Sequence, residues 1–249
     1  MTGSDQPHCT WHAGPQSPAF GEKEVHVWCA PLEHPPERVK QFERLLSDDE
    51  RQRAYRFKFE HLQRHFMAGR GQLRLILGRY LQHAPEHLQF EYGAQGKPAL
   101  VSTPDLPLYF NLAHSHGLAL VAVTPDCELG VDLEALRTLS DMEAVAKRFF
   151  SPQEYEQYRT VSAEKKPRAF FNCWTRKEAY IKAIGLGLTQ SLDEFDVTLL
   201  PGVPPKIVRI QDDGHAAEKW TLAAFQPAPG YAGALAIPGR FRQIRYWKF

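Results

Sequence analysis

The chain has 249 residues, 43% of them apolar and 24% charged, with a formal net charge of +1. That is enough chain to bury one large core or two small ones, and the composition argues against disorder. The near-neutral balance demands neither nucleic acid nor a membrane as partner, although a local basic patch is compatible with it. Cys9, Cys29, Cys127 and Cys173 are widely spaced and form no CxxC pair. This speaks against a zinc ribbon or a disulfide scaffold, and for thiols in a reducing compartment.

Residues 1–21 are polar and proline-bearing, with no basic stretch followed by an apolar one. They read as a flexible N-terminal extension rather than a secretion signal, and the protein is expected to be cytoplasmic. No window approaches the ~18 consecutive apolar residues of a membrane span.

From there the order of elements repeats. Glu24–Ala30 alternates as a strand does, and so does Leu129–Glu134. Ser47-Asp-Asp-Glu50 and Ser151-Pro-Gln-Glu154 are both capping boxes, the second with Pro152 at the first helical position. A long helix is expected over about Leu62–Gln82 and another over about Arg168–Ile184. Strand-like residues follow each, Leu88–Tyr92 and Phe195–Leu199. Sliding the chain along itself by 104 positions pairs Glu24 with Glu128, Val27 with Val131, Arg44 with Arg148, Ser47 with Ser151, Glu50 with Glu154 and Phe66 with Phe170. The expected fold is therefore α/β (α+β), with two pseudo-symmetric halves at 22–126 and 127–249. Each would be a small sheet with a packed long helix, and the cleft between them would be the site. One irregular α+β domain with accidental similarity is the competing reading.

Three stretches concentrate chemistry. In Gly130-Val-Asp-Leu-Glu134 the carboxylates of Asp132 and Glu134, two apart on a strand, share one face while Val131 and Leu133 take the other. Two like charges side by side suit a hard divalent cation such as magnesium, or are simply two solvated acids. In Phe170–Lys182, about 100° per residue puts Phe170, Trp174, Glu178 and Ile181 on one side, with Lys182 flanking them. Arg176 and Ala183 fall on the opposite face. Glu178 and Lys182 are either an ordinary i, i+4 surface pair or a functional pair at a buried edge. In Asn111–His116, alternation aligns His114 and His116, which can bind zinc, donate to phosphate or be merely structural. Gly96-Lys97-Pro98 marks a turn whose lysine can meet phosphate. There is no GxxxxGK[ST] loop, no GxGxxG beyond the fragment Gly185-Leu-Gly187, and no GxSxG. The tail Arg240–Phe249 interleaves Arg242, Arg245 and Lys248 with aromatics. It reads as an edge strand guarded by charge, the alternative being a single-stranded nucleic-acid contact.

Taken together, Phe110-Asn-Leu-Ala-His-Ser115, Gly130-Val-Asp-Leu-Glu134 and Trp174-Thr-Arg-Lys-Glu-Ala-Tyr-Ile-Lys182 with Gly185-Leu-Gly187-Leu resemble the motifs of the Sfp-type 4′-phosphopantetheinyl transferases, as does Gly96-Lys97-Pro98. The resemblance runs from about Val25 to Phe195. It implies an enzyme that moves the 4′-phosphopantetheine of coenzyme A, its co-substrate, onto a serine of an acyl or peptidyl carrier protein and releases adenosine 3′,5′-bisphosphate. It implies Mg2+ on Asp132, Glu134 and Glu178, with Glu178, Lys182 and Asp132 catalytic. Lys97, His114 and Lys182 would contact coenzyme A, and Arg51, Arg53 and Arg56 fall where the family places basic residues for the 3′-phosphate. The family's usual serine before the motif histidine is Ala113 here, which removes a hydroxyl donor. Carriers of this family are acidic, and Phe149–Tyr158 is a candidate docking segment. One chain supplying both halves suggests a monomer. The alternatives are a catalytically idle coenzyme A and carrier-binding module, and a metal-dependent phosphohydrolase using His114, His116 and Asp132.

Overall fold

The computed structural model describes residues 9–101, 107–185, 187, 191–211, 215–241 and 243–249. In chain order the elements are β1 His12–Ala13, β2 Glu24–Pro31, α1 Pro36–Leu45, α2 Asp48–Tyr55, α3 Glu60–Leu81, β3 Phe90–Tyr92, β4 Pro98–Leu100, β5 Tyr109–Ser115 and β6 Leu118–Thr124. Then come β7 Gly130–Ala135, α4 Met142–Phe149, α5 Pro152–Arg159, α6 Lys166–Ile184, β8 Phe195–Val197, β9 Ile207–Ile210, β10 Trp220–Phe225, β11 Tyr231–Pro238 and β12 Gln243–Lys248.

The antiparallel order β5-β6-β2 in the first half is matched by β10-β11-β7 in the second. Each sheet shows strict alternation. Trp28, Val121 and Val123 turn to Leu73, Ile76 and Leu77 of α3. Their chain neighbours Val27, Leu120 and Ala122 turn the other way, into a seam shared with Val131, Leu133, Phe225 and Leu235 of the second half. Across that seam, Ala232, Ala234 and Ala236 of β11 pack on α6 beside Phe170, Phe171 and Ile181. The small alanines let α6 lie close to the sheet. At Gly130 the approach is closest, because a Cβ there would come within 2.0 Å of the Ala179 carbonyl.

Both capping boxes form. Glu50 and Glu154 each accept from the backbone N–H of the serine three residues earlier, at 3.1 and 2.8 Å. Both glutamates are buried and bound to cations of the long helix that follows: Glu50 to Arg70 and Arg74 of α3, Glu154 to Lys177 of α6.

Several expectations need correction. The final strand, β12, does not belong with the second half's sheet. It runs parallel to β2 in the first, in register Tyr246↔Val27 and Trp247↔Trp28. It is also not an edge strand, since β1 pairs with its other side. Residues 9–21 are not a loose extension. Trp11 packs edge-on against Tyr246, with ring centroids 5.1 Å apart, and the Gly14 N–H donates to the Lys248 carbonyl at 2.9 Å. Phe20 stacks on Tyr80 at 4.9 Å. Apolar side chains in a polar segment find a core that only the returning β12 completes. Residues 1–8 and Arg242 lie outside the described residues. Opposite the aromatic stripe of α6, Arg176 is 2% exposed and donates to Thr198; Lys177, beside Phe170 on the stripe's own side, is 1% exposed and donates to the Leu192 and Phe195 carbonyls.

No helix among the described residues is long and apolar enough to cross a membrane. None of the four cysteines is in a disulfide; Cys173 is buried and the others are half-buried.

Candidate active site

β7 turns Val131 and Leu133 into the seam, so Asp132 and Glu134 face the side on which α6 packs. Glu178 and Lys182, one helical turn apart, come from α6. The Lys182 ammonium donates to Asp132 Oδ1 at 2.6 Å. Asp132 is only 6% exposed, and its other oxygen, Oδ2, is buried without a hydrogen-bond partner. Burial pushes the Asp132 carboxyl above its ordinary range; Lys182 opposes this and Glu134 adds to it. Glu178 is raised too, by burial first and then by Asp132, again with Lys182 opposing. Three carboxylates therefore feel one another while a single ammonium is bonded among them.

Glu134 is steadied by two groups that the motif reading did not single out as site residues. Ser115 Oγ donates to its Oε2 at 2.9 Å, and Arg137 Nη1 at 3.2 Å. The same Ser115 Oγ accepts from the Ala135 N–H at 3.1 Å, and Asn111 Oδ1 accepts from the Val131 N–H at 2.9 Å. These two β5 side chains tie β5 to β7, and so join the halves beside the acids. The chemical hint in the sequence was that Asn111, Ala113 and Ser115 share a face.

Alternation sends His114 the other way. It lines a cavity of ≈ 410 Å³ with Phe57, His61, Leu62, His65 and His116. It also lines an adjoining cavity of ≈ 150 Å³ with Arg53, Arg70, Tyr92, Gly96 and Pro98. Desolvation by the cavity walls around it holds His114 below the ordinary histidine range, with Lys182 and His65 adding to this and Glu134 opposing. The histidine thus stands between the cavities and the acids. Ala113, by the same alternation, is buried in the apolar seam. A hydroxyl at that position would point away from the cavities, so its loss removes no donor from them.

The three first-half arginines separate. Arg53 lines the smaller cavity. Arg51 turns back onto Asp48 and the Leu46 carbonyl. Arg56 is exposed at the end of α2, apart from the residues lining either cavity. Lys97 departs furthest from expectation. Its ammonium donates to Glu128 Oε2 at 2.6 Å, to the Lys182 carbonyl at 2.9 Å and to the Leu129 carbonyl at 3.1 Å. In Phe149–Tyr158, Phe150 and Tyr158 are core residues, leaving the rest of α5's surface for any partner.

Among the described residues, no three histidine, cysteine or carboxylate side chains are gathered as a ready metal-ligand set. The donor chemistry nevertheless fits a hard divalent cation. It consists of oxygen donors only, an excess of negative charge, and one buried carboxylate oxygen with no partner.

Fold and site together define a two-half α/β protein with an acidic centre on one half and a histidine-lined, arginine-flanked cleft on the other. Family models agree, matching residues 34–126 as "4′-phosphopantetheinyl transferase, N-terminal" and residues 128–236 as "4′-phosphopantetheinyl transferase superfamily". The chain is 41% identical over 241 residues to the 4′-phosphopantetheinyl transferase HetI of a Nostoc species, covering 96% of this chain and 98% of that protein. It is 32% identical to psf-1 of Bacillus pumilus, over 72% of this chain and 70% of that one. It is 30% identical to Sfp of Bacillus subtilis, over 66% and 70%. The chain belongs to the 4′-phosphopantetheinyl transferase superfamily, and it transfers phosphopantetheine from coenzyme A to carrier proteins.

Proposed function

We propose that Asp132, Glu134 and Glu178 hold a magnesium ion against the diphosphate of coenzyme A, and that a carrier serine is the acceptor. The observation that carries this is the buried, unpartnered Oδ2 of Asp132 beside two further carboxylates. A bound cation would neutralise and orient the diphosphate.

The chain's own groups do the rest. Glu178, raised by burial and by Asp132, is suited to accept the serine proton. The serine oxygen forms a bond to the β-phosphorus, and the bond from that phosphorus to the bridging oxygen breaks. Adenosine 3′,5′-bisphosphate leaves with the electron pair. Lys182, freed from Asp132, balances the negative charge on the diphosphate. His114 and Arg53 present donors toward the nucleotide end, Arg53 from the smaller cavity. Since transfer is mainly a matter of positioning and charge, these roles need no covalent intermediate.

The idle binding module is disfavoured because all three acids are in place. The phosphohydrolase reading is disfavoured because Asp132 is bonded to Lys182, while His114 and His116 face the cavity. The acidic centre and the histidine-lined cleft come from the two halves of one chain, which supports a working monomer.

Mass spectrometry of apo carrier proteins incubated with coenzyme A and magnesium tests the reading. A gain of one phosphopantetheine on serine is expected, lost with chelator and in Glu178→Gln. Unchanged transfer by Glu178→Gln, or with chelator present, would remove the acidic centre from the mechanism.

A further inference from the structure

We propose that Lys97 is a positioning residue, a staple from the first half that sets the spacing of Asp132, Glu178 and Lys182, rather than a contact to the substrate. The proposal rests on that set being the reacting centre. Three observations carry it.

An ammonium has three protons, and those of Lys97 have three protein acceptors within 3.1 Å: Glu128 Oε2, the Leu129 carbonyl and the Lys182 carbonyl. None is left to aim at an anion. The side chain is 19% exposed, and although its neighbours Gly96 and Pro98 line the smaller cavity, Lys97 does not.

The two carbonyls it joins lie at the start of one and in the last turn of the other of the two elements that bear the site. Leu129 immediately precedes β7, three residues before Asp132. Lys182 is in the last turn of α6, where carbonyls lack helical partners and the helix end carries partial negative charge. A cation from outside the helix satisfies one of them.

Lys97 acts where the two elements touch. A Cβ on Gly130 would come within 2.4 Å of the Ala183 nitrogen and 2.9 Å of the Lys182 carbonyl carbon. β7 and α6 therefore meet backbone to backbone, and Lys97 bridges them at that contact. Its own place is fixed by the β3–β4 hairpin, where Gly96 adopts φ +77° and the Gly93 N–H donates to the Lys97 carbonyl at 2.9 Å. The main chain of Lys182 is thus held by the first half, while its side chain reaches Asp132 in the second.

The test separates a staple from a phosphate ligand by steady-state kinetics with coenzyme A and 3′-dephospho-coenzyme A. In Lys97→Met, kcat should fall about 10- to 100-fold, as expected for misplaced reacting groups. KM for coenzyme A should stay within about twofold, and the preference over the dephospho compound should be unchanged, because His114 and Arg53, which face the nucleotide end, are untouched. A raised KM with kcat retained and the preference lost would overturn the proposal in favour of direct phosphate contact. Unchanged kinetics would overturn it as well. Glu128→Gln, at a 54% exposed side chain, guards against a Lys97 variant that does not fold. Weakening the staple should lower kcat with KM unchanged. If Lys97 is instead a phosphate ligand, freeing it should lower KM with kcat unchanged, which would overturn the proposal. Full transfer by Glu178→Gln is a separate result, and it would sink the assignment of the reacting centre itself.

Discussion

Leaving a buried polar atom without a partner costs about 1–3 kcal/mol, and more when the group is charged. Asp132 Oδ2 is such an atom, and Glu178 beside it is pushed up by burial and by the Asp132 charge. In its charged form Glu178 is disfavoured by the fold that holds it. Glu178→Gln should therefore melt higher than wild type, by about 2–4 °C if roughly 1 kcal/mol is relieved in a chain of this length, while transfer falls about 100-fold or more. Calorimetry beside the transfer assay checks both halves of that statement; a lower melting temperature would contradict it. His26 gives a pH signature unconnected to catalysis. Burial depresses it from 6.5 to about 4, with Glu24 partly opposing. Between those values the unfolded chain binds the proton and the folded one does not, so stability rises with pH and is lost as pH falls from 6.5 toward 4. Replacing His26 with glutamine should flatten the melting-temperature profile across that window.

At the scale of elements, the capping glutamates do more than end a helix. Glu154 accepts from the Ser151 and Val197 N–H groups at 2.8 and 2.7 Å and pairs with Lys177 at 2.8 Å, all out of contact with water. One carboxylate thus ties α5, α6 and β8 together. Removing its cation leaves a buried charge uncompensated, so Lys177→Met should cost about 3–5 kcal/mol, whereas the double change Lys177→Met with Glu154→Met should recover most of the loss. Denaturant titrations of the three proteins measure it, and equal destabilisation by the single and the double variant would contradict it. These elements were legible in the sequence, because capping boxes and helical periodicity are local signals. α5 and both long helices lie within about two residues of where the pattern places them, the usual uncertainty of helix ends. The carboxylates two apart on β7 were legible for the same reason, since pleating alone decides which residues share a face. The 104-residue offset also holds through β3 and β8, then slips as the second half inserts extra residues before β10 and β11. Under that offset Asp132, Glu134, Glu178 and Lys182 meet Trp28, Ala30, Arg74 and Gly78. The acidic centre therefore exists on one half only, and its mate is a packed core.

For the whole molecule, the decisive event is the return of β12. It covers the free side of β2, places Arg245 on Glu24 and Trp247 beside Trp28, and creates the groove into which β1 and Trp11 settle. A chain ending at Pro238 loses all of this and exposes a hydrophobic strand edge. It should aggregate or fail to melt cooperatively, which circular dichroism and gel filtration would show. A cooperative melt near that of the full chain would mean that the second half's tail is dispensable.

By itself the sequence determined the helices, the caps, the pairing of Asp132 with Glu134 on one face, the pairing of Glu178 with Lys182 along one helix, and the doubling of the fold. Each depends on residues a few positions apart, or on the recurrence of such a pattern. Only the tertiary structure decided that β12 joins the first half, that residues 9–21 are docked, that Ala113 faces the seam, that Arg53 rather than Arg51 lines the cavity, and that Lys97 turns to β7 and α6. Those outcomes depend on which distant backbone carbonyl or apolar surface arrives beside a side chain. Spacing along the chain carries no record of that arrival, because packing of the two halves creates it.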